Sequence, residues 1–220
     1  MNIEDINLND KNKWDALKKS IWNIEYIDNP SEDMSIYCVK KAWNTLKFIH
    51  DPNDNIIKEA LKNNGWAIQF VKKPSLEQML LAVENNWESI RFIDDPTEEI
   101  QLAAINKSHS AIKFMKNPSF KSKLAAIIKN PEAIKNFDYT ESEFIDFIKY
   151  NINVLKYVSN YDKDKIIDAI QTVISKDNIT KAYIYDYIKL NNLQIDKDKF
   201  IYDNGSAVSK EYYVDLNLDL

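Results

Sequence analysis

A chain of 220 residues, 45% of them hydrophobic, is long enough to bury a sizeable core. Its formal net charge of -5 disfavours nonspecific binding of the whole molecule to nucleic acid or to an anionic membrane. No apolar run reaches the roughly 18 to 20 residues that span a bilayer, and the polar N-terminus lacks a secretory signal. We therefore expect a cytoplasmic protein with no membrane partner.

From residue 30 onwards a proline recurs every 22 residues, and a period between 20 and 50 residues is typical of a solenoid. Counted from each proline, position +8 is small and position +9 is branched, as in Ala104 and Ile105. Position +16 is branched and position +18 is usually Phe. The register extends upstream to a block beginning near Leu8 and, after a one-residue slip, downstream to a block beginning at Tyr139. We count about seven repeats over residues 8–161. The prolines are Pro30, Pro52, Pro74, Pro96 and Pro118.

Within a block, the apolar residues follow helical spacing twice, near +5 to +9 and again near +15 to +19. We expect each proline to occupy the start of the first helix, and the Ser, Thr or Asn after it to act as a cap. Asn63 to Gly65 is a turn signal between the two helices. The pattern predicts an all-α fold, an α-solenoid of about seven 22-residue two-helix repeats. A strand at +16 to +18, giving a strand-and-helix horseshoe, is the alternative.

The block DPTEEIQLAAINKSHSAIKFMKNP, residues 95–118, resembles the leucine-rich-repeat variants and similar short HEAT-like helical repeats of bacteria and phages. The resemblance rests on the Asp-Pro start, the charged first turn, the Ala-Ala pair and the second apolar pair. It covers roughly 130 to 150 residues. It implies a scaffold for macromolecular contact and supplies no catalytic residues.

The repeat pattern fades after about Asp162. Two further helical segments, residues 163–176 and 178–192, are predicted to cap the solenoid. In residues 196–220, Asn204-Gly205 is a turn signal, and Val214, Leu216, Leu218 and Leu220 alternate with polar residues. We therefore predict a small hairpin or an extended acidic tail there. The domain division that follows is a solenoid over 1–161 and capping helices with a tail over 162–220.

The sequence offers little for catalysis. Cys38 is the only cysteine, which leaves no intrachain disulfide and no Cys-based metal site. The only glycines are Gly65 and Gly205, too few for a phosphate-binding loop. His50 and His109 occupy different positions of different repeats. We expect no enzyme activity, no catalytic residue, no metal and no cofactor.

One polar column is a candidate contact surface. Position +17 would repeat like charge along the second helices, and tryptophans in the turns between helices could serve as hot spots for a protein partner. The predicted partner-binding residues are Lys47, Gln69, Arg91, Lys113, Lys135, Lys156, Trp66 and Trp87.

Two functional hypotheses follow. The first is a nonenzymatic scaffold that binds another protein through this column, the tryptophans or the C-terminal tail. The second is a nucleic-acid-binding solenoid that uses the column as a Lys ladder, although Arg91 is the only arginine among 29 basic residues. The excess of Lys, Ile and Asn is what an AT-rich genome produces. One role consistent with it is an inhibitor or adaptor, carried by a phage or mobile element, that occupies a host or defence protein.

Overall fold

The computed structural model describes residues 10–191 and 193–218, and every regular element in those residues is helical. The α-helices are α1 Asp10–Lys19, α2 Glu32–Lys41, α3 Asp54–Asn63, α4 Leu76–Asn85, α5 Glu98–Lys107, α6 Phe120–Lys129, α7 Glu141–Tyr150, α8 Lys163–Ile174, α9 Lys181–Lys189, α10 Lys197–Asn204 and α11 Ala207–Leu218. The 3₁₀ helices are η1 Ile21–Tyr26, η2 Trp43–Phe48, η3 Gly65–Phe70, η4 Trp87–Phe92, η5 His109–Phe114, η6 Pro131–Asn136 and η7 Ile152–Lys156.

Each repeat is a ten-residue α-helix followed by a 3₁₀ helix, and the described residues contain seven such pairs. This confirms the prediction of an α-solenoid of two-helix repeats, and within the described residues the strand alternative is wrong. The second helix has only five or six residues, a length at which 3₁₀ helices are common, and in η1 to η6 an extended residue follows it. In η4, the extended Ile93 ends the helix and donates its N–H to the Ile90 carbonyl at 3.2 Å. The first block begins at Leu8, which lies outside the described residues.

The repeat prolines stand one residue before the N-cap, so their predicted place at the start of the helix is wrong. Ser31, Asn53, Ser75 and Ser119 are N-caps, and each accepts a hydrogen bond from the backbone N–H three residues later. Thr97 is the N-cap of α5, but its side chain accepts no capping hydrogen bond. An N-cap needs an extended backbone and a side-chain oxygen, which proline cannot supply. The cap prediction for the Ser and Asn that follow proline is therefore confirmed at these four positions.

The chain divides into two compact units, the first ending at Asn117 and the second beginning at Pro118. In the first unit, successive α-helices pack against one another, and so do successive 3₁₀ helices. The small residues at +8 are fully buried, which lets adjacent helices approach closely. Asparagines add hydrogen bonds between repeats: Asn63 Nδ2 donates to the Lys40 carbonyl at 2.7 Å, and Asn85 Nδ2 to the Lys62 carbonyl at 2.8 Å. The first unit is thus held by core contacts and, at the C-terminal ends of α2 and α3, by capping from the next repeat.

The second unit contains the last two α/3₁₀ pairs and then four α-helices without 3₁₀ partners. Its core includes the fully buried Phe147, Ile170 and Tyr187. Tyr183 is also buried, and its hydroxyl donates to the Ile148 carbonyl at 3.1 Å. The change in element type falls near Asp162. The domain boundary predicted between residues 161 and 162 stays a prediction.

A partly buried ion pair stabilises the second unit. Lys123 Nζ lies 2.9 Å from Glu143 Oε1, and Glu143 Oε2 accepts from the Thr140 backbone N–H at 2.8 Å. Burial raises the pKa of Glu143, but the Thr140 hydrogen bonds and the Lys123 ammonium outweigh it and hold that pKa below its ordinary value. The carboxylate therefore stays ionised and caps the start of α7.

The C-terminal segment is helical through Leu218, so the predicted hairpin or extended tail is wrong within the described residues; Leu220 lies outside them. Asn204-Gly205 is a break between α10 and α11 rather than a hairpin turn. In α11, Ser209 and Tyr213 are buried, and Val208, Tyr212 and Leu216 pack against the core, a set with helical spacing of three or four residues. Ser209 Oγ also donates to the buried Ile174 carbonyl at 2.5 Å. These contacts favour helical spacing over the alternation of Val and Leu with polar residues.

Candidate partner-binding surface on the 3₁₀ helices

A ladder of aromatic pairs runs along the 3₁₀ helices of the first unit. In each pair, a tryptophan near the start of one 3₁₀ helix contacts the +18 phenylalanine of the next repeat. The ring centroids are 6.0 to 6.5 Å apart, the range in which aromatic pairs attract each other. The pairs are Trp22–Phe48, Trp43–Phe70, Trp66–Phe92 and Trp87–Phe114.

The geometry of this ladder alternates. Trp43–Phe70 and Trp87–Phe114 are stacked, with interplanar angles of 24° and 28°. Trp22–Phe48 and Trp66–Phe92 meet edge to face, at 86° and 76°. Equivalent tryptophans are therefore 44 residues apart, at positions 43 and 87 and at positions 22 and 66. The surface repeats every two blocks, whereas the core repeats every block.

The predicted +17 column lies on the 3₁₀ helices, and every member is exposed. In the first unit, the column adds cations to the aromatic ladder. The Arg91 guanidinium carbon lies 4.2 Å from the centroid of Phe114, and Lys47 Nζ lies 4.6 Å from that of Phe48. Gln69 instead donates to the Trp66 carbonyl at 2.9 Å. We call the ladder together with Lys47, Arg91 and Lys113 the aromatic–cation face.

Two members of the column, Lys135 and Lys156, belong to the second unit and are not part of this face. Lys135 Nζ is 3.1 Å from Glu132 Oε1 and 4.9 Å from the ring centroid of Tyr157, so its charge already has a partner. Lys156 is exposed at the end of η7. The prediction that all six residues act together stays a prediction.

Trp66 and Trp87 are both half-buried and lie within 3₁₀ helices rather than in the turns before them. Trp66 Nε1 is buried and has no hydrogen-bond partner among the described residues. Trp22 is 44% exposed and Phe92 is 36% exposed. Part of the ladder is therefore buried against the protein, and part is exposed to solvent.

A cleft of about 510 Å³ opens beside the ladder, between the ends of η2 and η3. Phe48 and Phe70 form its apolar walls, and Lys47, Lys72 and Lys73 surround it. Its rim also carries His50 and Asp51; His50 Nδ1 lies 2.9 Å from Asp51 Oδ2. We call this the first cleft.

A smaller cleft of about 170 Å³ lies two repeats further along the first unit. Its lining includes Arg91, Asp95, Phe114 and Lys116, which occupy the repeat positions of Lys47, Asp51, Phe70 and Lys72 in the first cleft. Asp51 and Asp95 also share a left-handed backbone, with φ of 46° and 45°. We call this the second cleft.

Sequence reasoning missed Lys72, Lys73 and the phenylalanines that line these clefts. A signal was present, because Lys-Lys precedes Pro74 where Asp or Asn precedes each of the other repeat prolines. The phenylalanines were identified only as the usual residue of position +18. Their half-exposed edges became visible only once the 3₁₀ helices were placed next to one another.

Of the residues considered for catalysis, His50 lies on the rim of the first cleft, and Cys38 lies in the core. The Cys38 thiol is fully buried and donates to the Ile21 carbonyl at 3.7 Å. Burial raises the pKa of Cys38 to about 11, so the thiol stays protonated and unreactive near neutral pH. In the part of the chain that the structure describes, no group of three or more His, Cys, Asp or Glu side chains could hold a metal ion. None of the helices described there is long and apolar enough to cross a bilayer.

Comparison of the chain with protein-family models, with curated proteins and with solved structures finds no significant match. The fold and the geometry of the face therefore carry the functional argument.

Proposed function

We propose that the protein is a nonenzymatic scaffold that binds a segment of another protein through the aromatic–cation face. The observation that supports this most directly is the aromatic ladder, whose four pairs span five successive repeats and carry Arg91 and Lys47 against their rings. Tryptophan and arginine are the residue types most often found as binding hot spots. The 3₁₀ helices that carry them rest on a buried core, so the partner would meet a preorganised surface.

The charge of the loops that follow η2 and η4 favours a protein partner over a nucleic acid. The exposed carboxylates of Asp51, Asp94 and Asp95 lie among the cations of the face. A phosphate backbone carries one charge at every step and would meet these carboxylates, whereas a protein segment can place neutral residues there.

A single-stranded nucleic acid is the second candidate, because bases stack on aromatic rings and cations attract phosphates. The Trp87–Phe114 stack with Arg91 against it is the observation that favours it. The AT-rich composition further leads us to propose that the protein acts as an inhibitor or adaptor of a phage or mobile element. In that role it would occupy a host or defence protein.

The test compares two charge-matched triple variants of the full chain. Lys47→Glu, Arg91→Glu and Lys113→Glu together alter the face. Lys19→Glu, Lys41→Glu and Lys107→Glu alter exposed positions at the ends of α-helices and serve as the control.

Each protein is used to capture partners from nuclease-treated and untreated bacterial lysates, and circular dichroism verifies that both variants are folded. We expect a protein partner that resists nuclease and is lost only with the face variant. If both variants lose the partner equally, or both retain it equally, the proposal that the aromatic–cation face binds the partner is wrong. Recovery of nucleic acid alone would favour the second candidate.

A further inference from the structure

The first cleft has an excess of positive charge that the described residues leave unpaired. No carboxylate of those residues forms an ion pair with Lys47, Lys72 or Lys73. The only acidic side chain in the lining is Asp51, and it lies against His50. Three ammonium groups around one cleft repel each other, and an anion bound among them would relieve that repulsion.

The α-helices of the same unit carry both kinds of lysine: Lys19 and Lys41 form no ion pair with a described residue, whereas others are paired. Lys58 lies 2.9 Å from Asp54 and 2.8 Å from Glu77, and Lys62 lies 2.7 Å from Glu59. The first cleft differs from the unpaired helical lysines because Lys47, Lys72 and Lys73 line one concave surface together, beside a single carboxylate.

The walls of the first cleft specify more than an anion. Phe48 and Phe70 are half-buried and offer apolar surface next to the ammonium groups. A ligand that matches both features has a carboxylate beside an apolar body, as an Asp or Glu has next to an aromatic or aliphatic residue. Asp51 is fixed on the rim by its left-handed backbone before Pro52, where it would repel a second anionic group.

The second cleft extends the site along the face. Its lining holds two cations, Arg91 and Lys116, and two carboxylates, Asp94 and Asp95, so the formal charges balance. Its volume of about 170 Å³ suits a small neutral side chain. Packed helices lie about 8 to 10 Å apart, so clefts two repeats apart are separated by roughly 16 to 20 Å. An extended chain advances about 3.3 Å per residue, so about five or six residues cover that distance.

We infer that the first cleft binds an acidic residue and its apolar neighbour in an extended peptide, and that the second cleft takes a small side chain about five or six residues away. This inference rests on the proposed function, because it names the partner segment for the same face. The recognition is by side chains in pockets.

The test selects binders from a random 12-residue peptide library displayed on phage, with the full-length protein as the target. The enriched peptides are synthesised with a fluorescent label and measured by anisotropy. Lys72→Glu with Lys73→Glu alters the first cleft without touching the +17 column. Lys18→Glu with Lys19→Glu, an exposed adjacent pair at the end of α1, is the matched control.

We expect enriched peptides to share an Asp or Glu next to an aromatic or aliphatic residue. Their affinity should fall about tenfold or more on the Lys72/Lys73 variant and stay unchanged on the control, because the variant places like charges together. Replacing the acidic residue by its amide should cause a similar loss on the native protein and little further loss on the variant. Shortening the spacer by three residues should also weaken binding.

Other outcomes separate the two proposals. Peptides that lose binding with the Lys47, Arg91 and Lys113 variant but tolerate the Lys72/Lys73 change would overturn the cleft inference and leave the proposed function standing. Enriched peptides without a shared acidic residue would also overturn the inference. Binding of a labelled oligothymidine, with no peptide enriched, would overturn both.

Discussion

Gly65 is the position where one added methyl group should disturb the fold most. It begins η3 and is buried, and its N–H lies 3.4 Å from Asn85 Oδ1. A Cβ at this position would overlap the Ala82 carbonyl oxygen and lie 2.6 Å from Ser89 Oγ, whereas carbon atoms in ordinary contact are about 3.5 Å or more apart. Ala82 and Ser89 are both fully buried, so neither has room to move away.

The expected cost combines two opposing effects. Overpacking a core costs about 1 to 3 kcal/mol. Replacing glycine by alanine restricts the unfolded chain and returns about 0.4 to 1 kcal/mol. Because the overlap involves backbone atoms of a packed helix, overpacking should dominate. We expect Gly65→Ala to lower the free energy of unfolding by about 1 to 2 kcal/mol.

Urea denaturation followed by circular dichroism at 222 nm measures this effect. With a slope of about 2 to 3 kcal/mol per molar urea, the midpoint should fall by about 0.5 M. Lys41→Ala, at an exposed position of α2, is the control and should change stability by less than about 0.5 kcal/mol. A Gly65→Ala protein as stable as the native chain, or more stable, would show that η3 does not approach α4 as closely as described.

Ser89→Ala should leave stability unchanged or raise it, because the buried Ser89 Oγ has no hydrogen-bond partner among the described residues. Combined with Gly65→Ala, it should recover part of the lost stability. A loss above about 1 kcal/mol in the same assay would contradict this. Relative to Cys38→Ala, the native protein should lose stability as pH rises from about 8.5 to about 11. In that range the unfolded thiol releases its proton and the buried thiol of the folded protein does not. Urea midpoints of both proteins at pH 8 and 10.5 test this. Glu143→Gln should destabilise the second unit at pH 7, and the difference should shrink as pH falls below about 4, since the lowered carboxyl pKa contributes stability only while the group is ionised. A pH-independent difference would mean that the ion pair with Lys123 contributes nothing.

The repeat was predictable from the sequence because its core slots are chemically strict. A small residue at +8 and a branched residue at +9, as in Ala60 and Leu61, must both fit between neighbouring helices. The 3₁₀ form of the second helix was not predictable from spacing, because six residues place i and i+3 on one side in either helix type. The apolar pattern also does not encode the extended residue that follows η1 to η6, such as Ile93 after η4.

The candidate site was only partly predictable, for a different reason. The exposed column that includes Lys47 and Arg91 follows from the repeat register, since a fixed position keeps a fixed side. The clefts depend on which residues of consecutive repeats line the same space, such as Phe48 and Phe70, and on a charge that departs from the repeat at Lys72. Aligning the blocks shows which positions they share, whereas the clefts depend on positions at which the blocks differ.

The alternation of stacked and edge-to-face tryptophan pairs gives the chain two repeat lengths, 22 residues for the core and 44 residues for the aromatic–cation face. Removing or duplicating one 22-residue block would preserve every core slot but would place two pairs of the same geometry side by side. Removing or duplicating 44 residues would preserve the fold and also the order of the face. Versions of this chain that are shorter or longer by one block would therefore keep the core but change the order of the aromatic–cation face. Versions that differ by two blocks would keep both.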